Sequence, residues 1–161
     1  MPVADSARAQ RVLLFIHSLH GGGAERVAAD LSAHWADMGR EVMVVTQAGT
    51  EGDVYTLHPN VRREVLHTAG EGGGLRGILS NVQRVRALRR VIKAFRPDIV
   101  LGMMTTASVL SVLASTGLST RVIATEHTHP PSQAMSGFWQ RLRRFTSVSY
   151  THLRAHETKA N

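Results

Sequence analysis

The stretch Leu13-Leu14-Phe15-Ile16-His17-Ser18-Leu19-His20-Gly21-Gly22-Gly23-Ala24-Glu25-Arg26-Val27 decides how this chain folds. A short apolar run passes through three consecutive glycines and straight into a helical pattern. Residues without a Cβ let the backbone turn sharply and let a bulky anion approach its N–H groups. The first turn of the following helix adds unpaired donors and a favourable dipole. The segment has the chemistry of a phosphate-binding turn, and the plainer reading, a glycine connection that only joins strand to helix, stands beside it.

Two familiar glycine fingerprints do not fit. Counting from Gly21 and Gly23 puts Arg26 where the third glycine of a dinucleotide fingerprint should let helix pack on strand. The second strand ends at Val45-Thr46-Gln47 without the acidic residue that holds a ribose. No G-K-[ST] follows to grip the β- and γ-phosphates of a nucleoside triphosphate.

Outward from this segment, short apolar runs alternate with longer helical patterns, the rhythm of an α/β domain. The sequence predicts strands over Arg11–His17, Glu41–Thr46, Asp98–Leu101 and Arg121–Thr125, with weaker candidates over Val54–Leu57 and Arg63–Leu66. Helices are predicted over Ala24–Met38, Asn81–Arg96 and Thr106–Ser115. Gly39 stops the first helix, and Val27, Ala28, Leu31 and Trp35 should hold it on the sheet. Glycine-rich Gly70–Gly77 reads as a loop. Arg96-Pro97-Asp98 ends the second helix, because the residue before proline is pushed out of helical geometry.

Right-handed crossovers then give a Rossmann-like parallel sheet with helices on both faces. The ligand crevice of such a sheet lies beyond the carboxyl ends of its strands, where strand order reverses. Three segments should meet there: the glycine turn, the loop 102–106, and Glu126-His127-Thr128-His129-Pro130-Pro131.

At 161 residues, 43% of them hydrophobic, the chain fits one domain with a core of its own. It has no cysteine, which excludes a disulfide framework, a zinc ribbon and a thiol nucleophile and agrees with a cytoplasmic location. Ile99–Thr120 carries no charge, yet Ser, Thr and Gly102 interrupt it, so it reads as a buried strand and a small-residue helix rather than a membrane span. The net charge of +7 rides largely on helices. Between Asn81 and Arg96 an apolar stripe of Val82, Val85, Leu88, Val91, Ile92 and Phe95 is flanked by Arg84, Arg86, Arg89, Arg90, Lys93 and Arg96. Arg141, Arg143 and Arg144 follow Phe138-Trp139. Such clusters are solvated faces, or they attract a phosphorylated substrate or the anionic inner face of a membrane. With aromatics at 5% and no module pattern, nucleic acid is not an expected partner.

Taken together, Leu13–Val27, Gly39-Arg40-Glu41-Val42, Arg96-Pro97-Asp98-Ile99-Val100 and Thr125-Glu126-His127 make the chain resemble the N-terminal, acceptor-side half of a family 4 glycosyltransferase with the GT-B fold. The resemblance implies a retaining sugar transfer in a cleft between two domains, from a nucleotide-sugar donor to a glycan or lipid-linked acceptor, without a cofactor or bound metal ion. It gives Gly21, Gly22 and Gly23 to the donor diphosphate, whose growing charge N–H dipoles would stabilise. His127 corresponds to the family's histidine after the fifth strand. Its imidazole suits donation to a sugar hydroxyl or proton movement near neutral pH, and a backbone-satisfied loop histidine is the alternative.

Around these, Arg26 is a candidate for an acceptor phosphate, whereas Glu25 is explained by the helix dipole alone. Thr105 and Thr106 offer hydroxyls to a sugar but equally suit a helix cap. Glu126 either orients His127 or is a solvated carboxylate. His127 and His129 lack a third metal ligand.

The expected organisation is a loose leader over 1–10, the Rossmann-like acceptor domain over 11–146, and a non-native tail over 147–161. Within that tail, Ser149-Tyr150-Thr151-His152-Leu153-Arg154-Ala155-His156-Glu157-Thr158 resembles a translated sequencing adapter, and His152, His156 and Glu157 are assigned no role. The donor domain is expected to be absent and the chain inactive by itself. The rival readings are half of a nicotinamide-binding oxidoreductase and a non-catalytic basic module for lipid or nucleic acid.

Overall fold

Val12 to Ile16 are almost wholly shielded from solvent, and a strand buried on both faces belongs in the middle of a sheet. The computed structural model describes residues 10–68 and 74–125, except for the side chains of 74–76. The elements run β1 (Arg11–Ile16), α1 (Gly23–Asp37), β2 (Glu41–Thr46), β3 (Arg62–Val65), α2 (Gly74–Phe95), β4 (Ile99–Met103), α3 (Thr105–Ser115) and β5 (Arg121–Thr125). β1 pairs in parallel with β2, Leu14 opposite Val44, and on its other side with β4, Leu14 opposite Leu101. β3 and β5 extend the sheet on either side, giving the order β3-β2-β1-β4-β5 with all strands parallel.

Alternation along β1 supplies both cores. Leu13 and Phe15 join Leu88, Ile92 and Phe95 of α2 and Ala107, Leu110 and Ala114 of α3. Leu14 and Ile16 turn the other way, to Leu19 in the loop after β1 and to Ala28 and Ala36 of α1. The helices thus cover both faces, as the sequence predicts. Of the residues expected to hold α1, Ala28 is buried and Leu31 and Trp35 pack at the margin, but Val27 is exposed. The contact face lies one step round the helix, through Ala29, Ser32 and Ala36.

Helix ends follow local chemistry. Gly39 has φ 76°, and the N–H groups of Gly39 and Arg40 donate to the carbonyls of Ala36 (2.9 Å) and Trp35 (3.0 Å). This paired closure requires a left-handed residue after the helix. Arg96, before Pro97, takes φ 51° and leaves α2. Asp98 then exchanges hydrogen bonds with Arg11, its N–H donating to the Arg11 carbonyl (2.9 Å) and its carboxylate accepting from the Arg11 N–H (2.8 Å). These bonds set β4 beside β1.

Two predicted element assignments fail. Val54–Leu57 is not a strand: the free edge of β2 is taken by β3, and the segment folds over the end of β1. α2 begins at Gly74, inside the predicted loop. Gly74 opens its first turn, where N–H groups have no intrahelical partner and glycine interrupts no hydrogen-bond ladder. Ile99–Thr120 divides between β4 and α3, and no helix among the described residues is long and apolar enough to cross a membrane.

Gly102 shows how closely α3 sits on β4. A Cβ there would lie 2.7 Å from Ser108 Cα and 3.0 Å from the Ala107 carbonyl oxygen, both backbone atoms. Buried Ala107, Ser108, Ser111 and Ala114 permit the approach. Gly102→Ala is therefore expected to destabilise the fold by about 1–3 kcal/mol, read as a lowered urea midpoint, since overpacking forces the helix away.

Candidate functional site

The strand order reverses between β2 and β4, with β1 common to both, and the chain leaves β1 at that point. The His17 carbonyl accepts from the N–H groups of Gln47 (3.0 Å) and Ala48 (2.9 Å), tying the ends of β1 and β2 together. Leu19 is fully buried and pins the loop, after which Gly21 to Gly23 come to the surface.

Each glycine has its own reason. Gly21 has φ 116°, which side chains rarely tolerate, and a Cβ would press on Val54 Cγ2 at 3.2 Å. Gly22 is extended, and the Glu25 carboxylate folds back into the space a side chain would fill. At Gly23 a Cβ would meet nothing within 4 Å among the described residues, whose packing does not demand glycine there. What the missing side chain leaves is open access to the first turn of α1, where no side chain at Gly22 caps the free donors. The Glu25 carboxylate lies beside those donors, and an incoming anion would compete with it.

A brace across the turn was not legible in the sequence. The loop between β2 and β3 crosses the end of β1: the Val54 N–H donates to the Leu19 carbonyl (2.9 Å), and the Tyr55 hydroxyl donates to the Gly22 carbonyl (3.2 Å). Gly52, at φ 97°, faces the His20 ring. The loop is anchored by Asp53, which pairs with Arg63 of β3 at 3.1 Å, both side chains being largely buried. Arg63 also donates to Thr46 Oγ1 (3.0 Å). The only sequence signal was an aromatic in a stretch read as a strand.

Arg26 projects into solvent and reaches Asp30, one turn along α1, at 3.7 Å. Its backbone N–H closes the first turn on the Gly22 carbonyl (3.1 Å). Thr105 is the first residue of α3 and not its cap; Met104 takes the cap position at φ 71° and ψ 160°. The Met104 N–H donates to the Thr125 carbonyl (3.1 Å). Thr125 Oγ1 (3.2 Å) and Ser108 Oγ (2.9 Å) both donate to the Gly102 carbonyl. The ends of β4 and β5 and the start of α3 are thereby stitched together at the edge where the glycine turn emerges from neighbouring β1. Glu126 and His127 lie outside the described residues, directly after β5. Among the described residues no group of three or more His, Asp or Glu side chains could hold a metal ion.

The family model of glycosyltransferase family 4 matches residues 21–158, from the first of the three glycines onward. The chain belongs to glycosyltransferase family 4. The match includes Glu126 and His127 and runs on through 147–158, residues set apart above as a tail. No curated protein matches the chain.

Solved structures show the same fold at low identity. Sucrose-phosphate synthase from Thermosynechococcus elongatus superposes with a TM-score of 0.65 at 14% identity, over 84% of this chain and 39% of that one. A glycosyltransferase from Rickettsia africae gives 0.57 at 16%, over 83% and 33%. A UDP-GlcNAc 2-epimerase from Neisseria meningitidis, bound to UDP-GlcNAc, gives 0.55 at 16%, over 83% and 37%. This family 4 chain thus spans well under half the length of each.

The geometry separates the roles of the glycines and of Arg26. Gly21→Ala should cost about 1–2 kcal/mol, because an L-residue must enter left-handed space. Gly23→Ala should leave stability within about 1 kcal/mol of the parent, and Arg26→Ala within about 0.5, since its ion pair is exposed. Tyr55→Phe should lose about 0.5–1.5 kcal/mol and speed hydrogen exchange in the glycine turn, which denaturation and amide exchange would register.

Proposed function

We propose that this chain forms the acceptor-side wall of a retaining sugar-transfer cleft, receiving a sugar from a nucleotide-sugar donor onto a glycan or lipid-linked acceptor. The observation that carries the reading is the open backbone of the glycine turn at the strand-order reversal, in a chain that belongs to glycosyltransferase family 4. Of the similar structures, one is a glycosyltransferase and another holds UDP-GlcNAc, a nucleotide sugar.

In this reading the donor diphosphate approaches Gly21, Gly22 and Gly23. N–H dipoles of the first turn of α1 offset the charge that grows on the leaving group as the glycosidic bond breaks. Access at Gly23 matters most, because nothing among the described residues fills that space. His127 acts beside the donor sugar, with Glu126 orienting it. Arg26 and Thr105 contribute to acceptor binding, Arg26 after leaving Asp30. The reaction uses no cofactor and no bound metal ion, and the other wall comes from a separate donor domain. The protein works in the cytoplasm.

The 161-residue chain alone should release no nucleoside diphosphate from nucleotide sugars, and joining it to a matching donor domain should restore transfer. Appreciable turnover by the isolated chain would overturn the shared-cleft reading. In the joined enzyme His127→Ala should lower kcat by about 100-fold or more with donor Kd unchanged. Gly23→Ala should lower kcat/KM in a protein of unaltered stability; unchanged kinetics would remove the turn from the mechanism.

A further inference from the structure

The charge on α2 is divided in a way its sequence does not show. The helix contains no Asp or Glu from Gly74 to Phe95. Two of its arginines are used inside the domain. Arg84 donates to the Thr68 carbonyl and to Asn81 Oδ1, both at 2.9 Å, and Arg89 donates to the carbonyls of Ala114 and Thr116 at the end of α3, both at 2.8 Å. Arg86, Arg90 and Lys93 are exposed, and none makes an ion pair among the described residues.

These three cations share their face with aliphatic side chains. Ile78, Val82, Arg86 and Arg90 follow at four-residue steps and so form one ridge, with Leu79 and Lys93 alongside. Ile78 is 52% exposed, Leu79 64% and Val82 40%, although Val82 belonged to the predicted core stripe. The apolar members occupy the first turns and the cations the later ones. Because α2 leaves β3 at its carboxyl end and returns to the amino end of β4, those first turns lie at the carboxyl edge of the sheet, with the glycine turn.

We infer that the outer face of α2 docks on an anionic bilayer, with Ile78, Leu79 and Val82 entering between head groups and Arg86, Arg90 and Lys93 resting on their phosphates. Aliphatic groups beside cations, with no acidic neighbour on the helix, complement such a surface in both polarity and charge. Nucleic acid would leave the aliphatics in water, and this face carries no aromatic to stack on a base. Docking here would bring the catalytic edge to the membrane, where a lipid-linked acceptor resides. That consequence rests on the proposed function; the docking itself does not.

The test sediments the full chain with phosphatidylglycerol-containing vesicles and with phosphatidylcholine vesicles. Binding is expected to the anionic vesicles, weakening steeply as salt shortens the reach of surface charge from about 10 Å at 0.1 M to about 3 Å at 1 M. The triple variant Arg86→Glu, Arg90→Glu, Lys93→Glu should bind at least about tenfold more weakly. All three positions are exposed, and an unchanged circular dichroism spectrum would certify the fold. Independently, Leu79→Trp should show a blue-shifted emission, relative to the parent chain, on anionic vesicles only. Triple-variant binding equal to the parent, or Leu79→Trp emission unmoved by vesicles, would overturn the inference. So would tighter binding to an oligonucleotide at equal phosphate concentration. No donor sugar is needed, so vesicle binding without sugar transfer in the joined enzyme would retain this inference and overturn the proposed function, and the reverse result would do the opposite.

Discussion

The pairing of β1 with β2 on one side and β4 on the other governs the rest of the molecule. Leu13, Leu14, Phe15 and Ile16 are fully buried, and burying side chains of this size stabilises a fold by about 1.5–3 kcal/mol each. With neighbours on both sides, β1 has no free edge, and its two faces feed two separate cores. The chain after β1 enters a helix on one face; the chain after β4 enters a helix on the other. The two exits diverge, and the gap between them leaves the N–H donors of α1 open at its upper end. The candidate site is the place where a doubly wound sheet cannot close over itself.

Within that gap the three glycines are distinct in kind. Gly21 answers to backbone conformation and Gly22 to the folded-back Glu25, whereas Gly23 answers to nothing among the described residues. Gly102 is the opposite case. It lies near the same edge but is occupied by the backbone of α3, and its smallness is wholly structural. The brace of Val54 and Tyr55, fixed by the Asp53–Arg63 pair, lets a turn rich in flexible residues hold one shape.

Much of this was legible in the sequence because burial leaves a periodic trace. The unbroken apolar runs of β1 and β4, the stop at Gly39, the break at Arg96-Pro97 and the small-residue helix after β4 follow from local rules, and the structure keeps them within one or two residues. The failures are also physical. Val54–Leu57 has strand-like residues, but another segment holds the edge it would need. The start of α2 was hidden because glycines read as a loop when their place in a first turn is not known. Val27 and Val82 belong to helical stripes by spacing yet lie at the margin of the contact, which depends on how far each helix is rotated over the sheet.

By itself the sequence determined that this is a parallel α/β domain with a glycine turn opening into its first helix, because hydrophobic period and backbone-special residues are local properties. Tertiary structure alone decided which glycine is open to a ligand, which arginines of α2 are satisfied by carbonyls and which face solvent, and what holds the turn in place. Those distinctions arise between segments far apart in the chain: Tyr55 with Gly22, Arg89 with Ala114, Ser108 with Gly102. Contacts of that range leave no periodic mark, since each depends on where the sheet brings two distant residues together.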